Sequence, residues 1–319
     1  MPESATTVLV EGGTGAVAPP PVEREFTVQV RSQTSMALRR FRQHKLAVGS
    51  LILLILTILF AFVGQHVWKW QYNVRDKNFE HFSKGPTGNH PFGTDNLGYD
   101  LLAQVMRGAQ RSLEIGGFVA IISTAIGTVF GLVSGYYGGR VDNLMMRIVD
   151  LWLTFPLIAV AVILGHKFET NATLQGWLGV SLVLAILSWA SIARVIRGVV
   201  LSLREREFID AARALGARPR RIMFRHLLPN VVGPVIVNAT ILVSVAILSE
   251  SALSFLGFGV QAPDSSLGLL VAQNQTAYDT RPWLFYFPGA FIVIIALTIN
   301  FIGDGMRDAL DPQQNRVRA

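Results

Sequence analysis

The chain has 319 residues, and only 15% of them are charged, whereas a typical soluble domain has about 25%. It contains no cysteine, which excludes a disulfide-stapled secreted domain, cysteine-ligated zinc and thiol catalysis. The net charge of +7 would suit a nucleic-acid-binding protein, but the position of the charges argues for another class.

Long uncharged stretches dominate the sequence, and a membrane-spanning helix needs about 20 mostly apolar residues. Six stretches meet or approach this length: Leu46–Gly64, Ile115–Gly139, Leu151–Gly165 (which needs Ile148 and Val149 to span), Thr170–Ala193, Leu227–Ser249 and Pro282–Gly303. A buried core helix could explain any one of them, but not six together. We therefore predict an all-α, polytopic membrane protein with six transmembrane helices.

The distribution of Lys and Arg predicts the orientation, because cytoplasmic loops carry more of both. With a cytoplasmic N-terminus, most of the 28 basic residues lie inside, and nine arginines between Arg194 and Arg225 share one loop. We expect both termini in the cytoplasm and the chain in the plasma (inner) membrane. The positive charge then faces anionic lipid or partner proteins, with no nucleic acid involved.

The pattern divides the chain into five parts. We predict a disordered cytoplasmic tail at 1–35, a basic segment with the first span at 36–64, and an extracytoplasmic loop at 65–114. The core of five spans follows at 115–310 and includes a cytoplasmic hairpin at 200–229, and 311–319 form a second tail. In the outer loop, Leu101, Leu102, Val105 and Met106 follow one another at helical spacing, which predicts a short amphipathic helix that lies on the outer surface or caps the mouth of the bundle.

The hairpin has a readable local structure. Phe208, Ala211, Ala212 and Leu215 fall on one helix face. Gly216 stands where a helix end takes a left-handed residue, and Pro219 suits the first turn of a second helix. A solvated basic hairpin would not need this apolar face, so a docking element for a cytosolic protein is favoured.

At this segment the sequence resembles a known family. Asp210-Ala-Ala-x-x-x-Gly216, followed after nine residues by x-x-Leu228-Pro229, is similar to the EAA loop of binding-protein-dependent ABC importer permeases. Asp210 replaces the usual Glu, and His226 replaces the usual Ile.

Further motifs resemble the dipeptide and oligopeptide branch, most closely the second of its two permeases. They run in the expected order from about residue 37 to residue 312: His90-Pro-Phe-Gly-Thr-Asp-x-x-Gly-x-Asp100 with Gly108-Ala-Gln-Arg-Ser-Leu-x-x-Gly116, Arg225-His-Leu-Leu-Pro-Asn230, Glu250-Ser-Ala-Leu-Ser-Phe-Leu-Gly257 with Ser265-Ser-Leu-Gly268, and Gly303-Asp-Gly-Met-Arg-Asp-Ala-Leu-Asp-Pro312. Tyr99 and Leu267 depart from the usual Arg and Trp.

The resemblance implies a type I ABC importer permease fold and a set of partners. These are a homologous second permease, two ABC ATPase subunits, an extracytoplasmic peptide-binding protein and membrane lipid. The ATPases would bind ATP and Mg²⁺, and this chain, which has no P-loop motif, would bind no cofactor and catalyse no reaction. The ATPase-coupling residues would be Glu207, Asp210, Ala211, Ala212, Arg213, Leu215, Gly216, Arg220 and Ile222.

The sequence leaves two possible roles open for each of two acidic residues. Asp210 could pair with an ATPase arginine or with Arg206 or Arg213 on its own helix. Glu250, near the end of a span, suggests a structural or gating role more than a proton relay. Its only candidate partner in a relay is Asp150, which has Arg147 as a ready ion-pair partner.

Two other features bear on packing and metals. Gly127, Gly131 and Gly135 form a small-residue ladder suited to either an internal or an intersubunit helix contact. The six histidines have no metal-ligand spacing, so no metal site is predicted.

The leading hypothesis is the permease subunit of an ATP-driven importer of short peptides. Nickel chelates or oligosaccharides are alternative cargoes for the same class. An ion-driven secondary transporter and an intramembrane enzyme are alternatives from other classes, but no motif supports the enzyme. The substrate-contacting residues are not predictable from the sequence.

Overall fold

The computed structural model describes residues 33–76, 79–169, 176–262 and 264–310. Regular structure in these ranges is helical, apart from two isolated bridges in the loop before residue 101. The helices are α1 (Gln33–Gln43), α2 (Lys45–Phe62), α3 (Gly64–Val67), α4 (Leu101–Tyr137), α5 (Gly139–Thr154), α6 (Leu157–Glu169), α7 (Trp177–Arg204), α8 (Glu207–Ala214), α9 (Pro219–Arg221), α10 (Leu228–Phe255), α11 (Leu267–Gln273) and α12 (Trp283–Leu310).

Five helices or helical runs are long and apolar enough to cross a membrane: α2, α4, α7, α12 and the run Pro219–Phe255, which contains α9 and α10. A sixth crossing requires α5 and α6 to act together, and these two helices bend by 79° at their junction. Pro156 explains the break, because it lacks an N–H and pushes the residue before it into extended backbone, as seen at Phe155 (φ −72°, ψ 130°). The prediction of an all-α polytopic fold is confirmed, and the bent pair of α5 and α6 lies where the third span was predicted.

The N-terminal segment is held by α12. His44 caps α2 by accepting a hydrogen bond from the Ala47 amide (3.1 Å), and Phe41 and Ala47 pack against Ala309 near the end of α12. The predicted tail at 1–35 reaches into α1, which begins at Gln33; the rest of that tail and the predicted tail at 311–319 lie outside the described residues.

The amphipathic helix predicted at the end of the outer loop is not a separate element. It forms the first turns of α4, which runs for 37 residues without a break and contains no proline. Asp100 caps its start by accepting from the Ala103 amide (2.8 Å). Leu101 and Val105 are buried against residues of α11 and α12, so of the two predicted placements the one against the bundle fits, and the one on the outer surface does not.

The glycine ladder of α4 packs inside the chain against α7. A Cβ atom at Gly127 would lie 2.7 Å from the Trp189 carbonyl oxygen, and one at Gly131 would lie 2.7 Å from the Ala193 carbonyl oxygen. The residue numbers of the contacting positions increase in the same direction along α4 and α7. The two helices therefore run parallel at close range. The ladder is therefore an internal contact, which resolves the choice that the sequence left open.

We expect Gly131→Ala to lower the stability of the protein by about 1–3 kcal/mol, because the methyl group overpacks a contact that cannot give way. Gly198→Ala on α7 is the matched control, because its Cβ would have no atom within 4 Å. The thermal unfolding midpoint of the detergent-purified protein measures both changes. Equal midpoints for the two variants would contradict the close α4–α7 contact.

Candidate functional site

The polar hairpin after α7 is built by a tight helix end and a proline start. Gly216 has a left-handed backbone (φ 74°), and its amide donates to the Arg213 carbonyl (2.9 Å) while the Ala217 amide donates to the Ala212 carbonyl (3.0 Å). These two bonds form a Schellman motif that ends α8. Pro219 then opens the next helix in its first turn. The turn predicted from the sequence is confirmed.

One face of the hairpin is fastened into the core. Ile209 on α8 is fully buried, and so is Leu227 in the π-helical turn Ile222–Leu227 that leads into α10. Both belong to the same apolar cluster as Ile196 and Val200 of α7. The hairpin is therefore packed against the bundle.

The other face of α8 carries exposed apolar side chains. Leu215 is 89% exposed and Phe208 is 42% exposed, with the exposed Ala211 between them. Ala212, predicted to share this face, is instead buried beside Ile209. The exposed stripe of Phe208, Ala211 and Leu215, which we call the α8 face, has no covering partner among the described residues.

The predicted coupling residues thus separate into two groups. Glu207, Asp210, Ala211, Arg213, Leu215, Gly216 and Arg220 are exposed. Ala212 (7% exposed) and Ile222 (1% exposed) form the second group, which is buried within the chain and packs the hairpin against the bundle. Ile222 follows the α9 turn directly and faces inward with Met223, so its contribution is to hold the hairpin.

Asp210 pairs within its own helix. Its carboxylate accepts from the Arg213 guanidinium at 2.9 Å, one of the partners that the sequence left open. Both side chains are largely exposed, so the pair is weak and can be exchanged for another partner.

An ion pair that the sequence did not indicate anchors the end of α7. Arg197 makes two hydrogen bonds to Asp142 of α5, at 2.5 and 2.6 Å, and Ser134 of α4 also donates to Asp142. Asp142 is 6% exposed, so this bidentate pair joins three helices in a largely buried setting. One signal for this pair is present in the sequence. The short segment between the second and third predicted spans carries arginines and also contains the acid Asp142.

Asp150 has a different partner from the one predicted. Its carboxylate lies 2.6 Å from Arg194 of α7, whereas Arg147 was expected, and both partners are more than half exposed. The pair reinforces the α5–α7 contact.

Glu250 lies buried near the end of α10 and joins it to α11. One carboxylate oxygen accepts from Ser254 (2.7 Å) and from Ser266 (2.6 Å), and the Ser266 hydroxyl in turn caps α11 by accepting from the Leu269 amide (3.0 Å). These contacts favour the structural role for Glu250.

A second clamp missed by the sequence holds the first turns of α4. Arg107 and Arg111 donate to the two carboxylate oxygens of Asp264 at 2.8 and 2.6 Å. The three residues fix the segment before α11 against α4.

The described residues form a bundle of apolar, membrane-length helices with a polar hairpin packed against it, which is the architecture of a polytopic helical membrane protein. A chain from the structure of inward-facing conformations of the MetNI methionine ABC transporter has the same fold, with a TM-score of 0.55 and 22% identity, covering 66% of this chain and 98% of that one.

The sequence comparisons give the family. Residues 127–316 match the model of the binding-protein-dependent transport system inner membrane component, and residues 32–86 match the N-terminal TM domain of oligopeptide transport permease C. The chain therefore belongs to the family of binding-protein-dependent transport inner membrane components.

Relatives from several bacteria match over about nine tenths of the chain. The oligopeptide transport system permease protein OppC of Mycobacterium tuberculosis (strain ATCC 25618 / H37Rv) is 41% identical over 287 residues, which are 90% of this chain and 97% of that protein. OppC of Escherichia coli (strain K12) is 40% identical over 291 residues, covering 91% and 94%. The dipeptide transport system permease protein DppC of Alkalihalophilus pseudofirmus is 38% identical over 298 residues, covering 92% and 94%.

We expect Asp142→Asn to destabilise the protein by about 3–5 kcal/mol, because it leaves the Arg197 guanidinium without its charged partner in a largely buried setting. Asp150→Asn is the matched control on the same helix, and its loss is expected to be at most about 1 kcal/mol because that pair is exposed. Thermal unfolding of the purified variants measures both. Equal losses would contradict the anchoring role of Asp142.

Proposed function

We propose that this chain is the permease subunit that forms half of the translocation pore of an ATP-driven importer of short peptides. The hairpin couples closure of the ATPase dimer to alternating access of the pore. The other half of the pore is a homologous permease, and a peptide-binding protein delivers the cargo from outside. Both termini and the hairpin face the cytoplasm.

The observation that carries this proposal is the two-sided character of α8. Its inner face is buried among residues of α7 and the turn before α10, and its outer face presents Leu215 and Phe208 to the surroundings. An exposed apolar face on a charged hairpin is typical of a protein–protein contact. The arginines around it favour anionic partners, which include acidic protein surfaces and lipid headgroups.

The buried face supplies a route for coupling. A partner that displaces α8 also displaces Ile209, which packs in one cluster with Ile196 and Leu227. Because packed cores transmit displacement as rigid bodies, α7 and α10 would move with the hairpin. The chain then needs no nucleotide site of its own; ATP and Mg²⁺ are bound by the ATPase subunits.

The proposed cargo rests on the relatives. Proteins named as oligopeptide and dipeptide permeases are about 40% identical over most of this chain. Short peptides are therefore the favoured cargo over nickel chelates or oligosaccharides.

Reconstitution into lipid vesicles tests the function. We expect the chain, with its second permease, both ATPases and the binding protein, to accumulate labelled short peptides only when ATP is hydrolysed. Peptide uptake that persists without the ATPases would overturn the proposal in favour of a secondary transporter. ATP-dependent uptake of a nickel chelate or an oligosaccharide but of no peptide would reassign the cargo.

Gly216→Val should lower ATP-dependent uptake about tenfold or more while the protein still reaches the membrane. A β-branched side chain is strained at φ 74°, although its Cβ would meet no other atom, so the lesion is confined to the backbone of the turn. Gly216→Asn is the matched control, since Asn tolerates this conformation. Uptake that is equal in the two variants would contradict a role for the turn geometry.

Leu215→Ser should weaken co-purification of the ATPase subunits, because it removes the most exposed apolar side chain of the α8 face. Val67→Ser, which changes a residue that is also highly exposed but lies beyond α2 in the expected outer region, is the control and should leave the complex intact. If both variants retain the ATPases as well as the unmodified chain does, the α8 face is not the docking surface.

A further inference from the structure

The side chains of Asp76, His81 and His90 in the outer loop lie close together, although five and nine positions separate them in the sequence. The Nδ1 atom of His81 lies 2.5 Å from Oδ2 of Asp76, and the Nε2 atom of His90 lies 3.3 Å from the same oxygen. These three atoms all lie within 4.8 Å of one another. The spacing of the histidines along the chain gave no indication of this cluster.

A second carboxylate fixes the orientation of His90. Nδ1 of His90 lies 2.7 Å from Oδ2 of Asp100, which is almost fully buried. The other oxygen of Asp100 accepts from the Ala103 amide (2.8 Å) and from the Trp68 indole (3.1 Å), so the carboxylate is held at the start of α4. A proton on Nδ1 leaves a lone pair on Nε2, which faces Asp76. A metal-bound histidine whose other nitrogen bonds a carboxylate has this arrangement.

An aromatic ring covers one part of the cluster, and a cavity borders another. The indole ring of Trp70 stacks on the His90 ring, with 4.8 Å between the centroids. A cavity of about 420 Å³ opens beside the cluster and is lined by His81, Lys84, Thr87, Gly88, Asn89 and His90. It has room for water as a further ligand and gives an ion a path of entry.

We propose that Asp76, His81 and His90 bind a zinc ion. Two imidazole nitrogens and one carboxylate oxygen are a common zinc ligand set, with water completing a tetrahedron. Bonds of the usual length place ligand atoms about 3.3 Å apart, which the observed separations bracket. The ion also balances the charge of Asp76 and Asp100, with both histidines neutral.

The ion would brace a loop with little regular structure. Between α3 and α4, the described residues form only a short 3₁₀ turn (Phe79–His81) and two isolated bridges, Arg75 with Tyr99 and Thr94 with Asp100. A metal that joins Asp76, His81 and His90 ties three points of this loop to each other and, through Asp100, to α4. The proposal is separate from the transport function, because α4 is about 55 Å long and the hairpin lies toward its other end.

Metal binding to the complete chain tests the proposal. The protein, purified in detergent without a histidine tag, is stripped with a chelator, given Zn²⁺ or Co²⁺, and passed through gel filtration. We expect one Zn²⁺ to remain per chain by mass spectrometry of the metal, and Co²⁺ to give the visible absorption of a tetrahedral site. His81→Ala, which changes the most exposed ligand, and Asp76→Asn should both weaken Zn²⁺ binding by about tenfold or more.

Two further variants separate metal ligation from damage to the fold. Asp100→Asn can still cap α4 but no longer offers a carboxylate to His90, so its Zn²⁺ affinity should fall by about tenfold to a hundredfold. His66→Ala removes an exposed histidine outside the cluster and should bind as the unmodified chain does. An unmodified chain that retains no zinc and gives no Co²⁺ band, or binding unchanged in His81→Ala and Asp76→Asn, would overturn the proposal.

Discussion

The parallel contact between α4 and α7 is the constraint on which the rest of the structure depends. Gly127 and Gly131 let the backbone of α7 approach so closely that any larger side chain would collide with its carbonyl oxygens. At the end of this contact the buried pair of Asp142 and Arg197 locks α5 to the same two helices. α7 ends at Arg204, about two turns beyond Arg197, and the polar hairpin follows it, so this contact sets the position of the hairpin.

The hairpin combines attachment and exposure in one short helix. Ile209 faces the core formed by α7 and the turn before α10, and Leu215, on the outer face, is nearly free of contacts. A partner on the outer face would therefore act on two membrane-spanning segments at once. The exposed pair of Asp210 and Arg213 borders this face and can rearrange at small cost. This arrangement is the physical basis for the proposed coupling to the ATPases.

Local signals in the sequence predicted local structure well. The uncharged stretches located the spans, and Gly216 and Pro219 defined the turn, because positive φ and a missing N–H are properties of single residues. Contacts between distant segments were not predictable in this way. The pairing of Asp142 with Arg197, the burial of Ile222 and the meeting of His81 with His90 depend on tertiary packing. Pro156 in the sequence marks a position where a helix can end. The 79° angle between α5 and α6 depends in addition on how the two helices pack.

Site-directed cross-linking tests the proposed docking most directly, and the chain suits it because it has no cysteine. A single cysteine at Leu215 is paired with a single cysteine on the surface of an ATPase subunit in native membranes, and Leu97→Cys in the outer loop serves as the control. The account predicts a disulfide from position 215 whose yield changes with ATP, and none from position 97. Equal yields from both positions, or no disulfide from 215 with any cysteine placed across the ATPase surface, would contradict it.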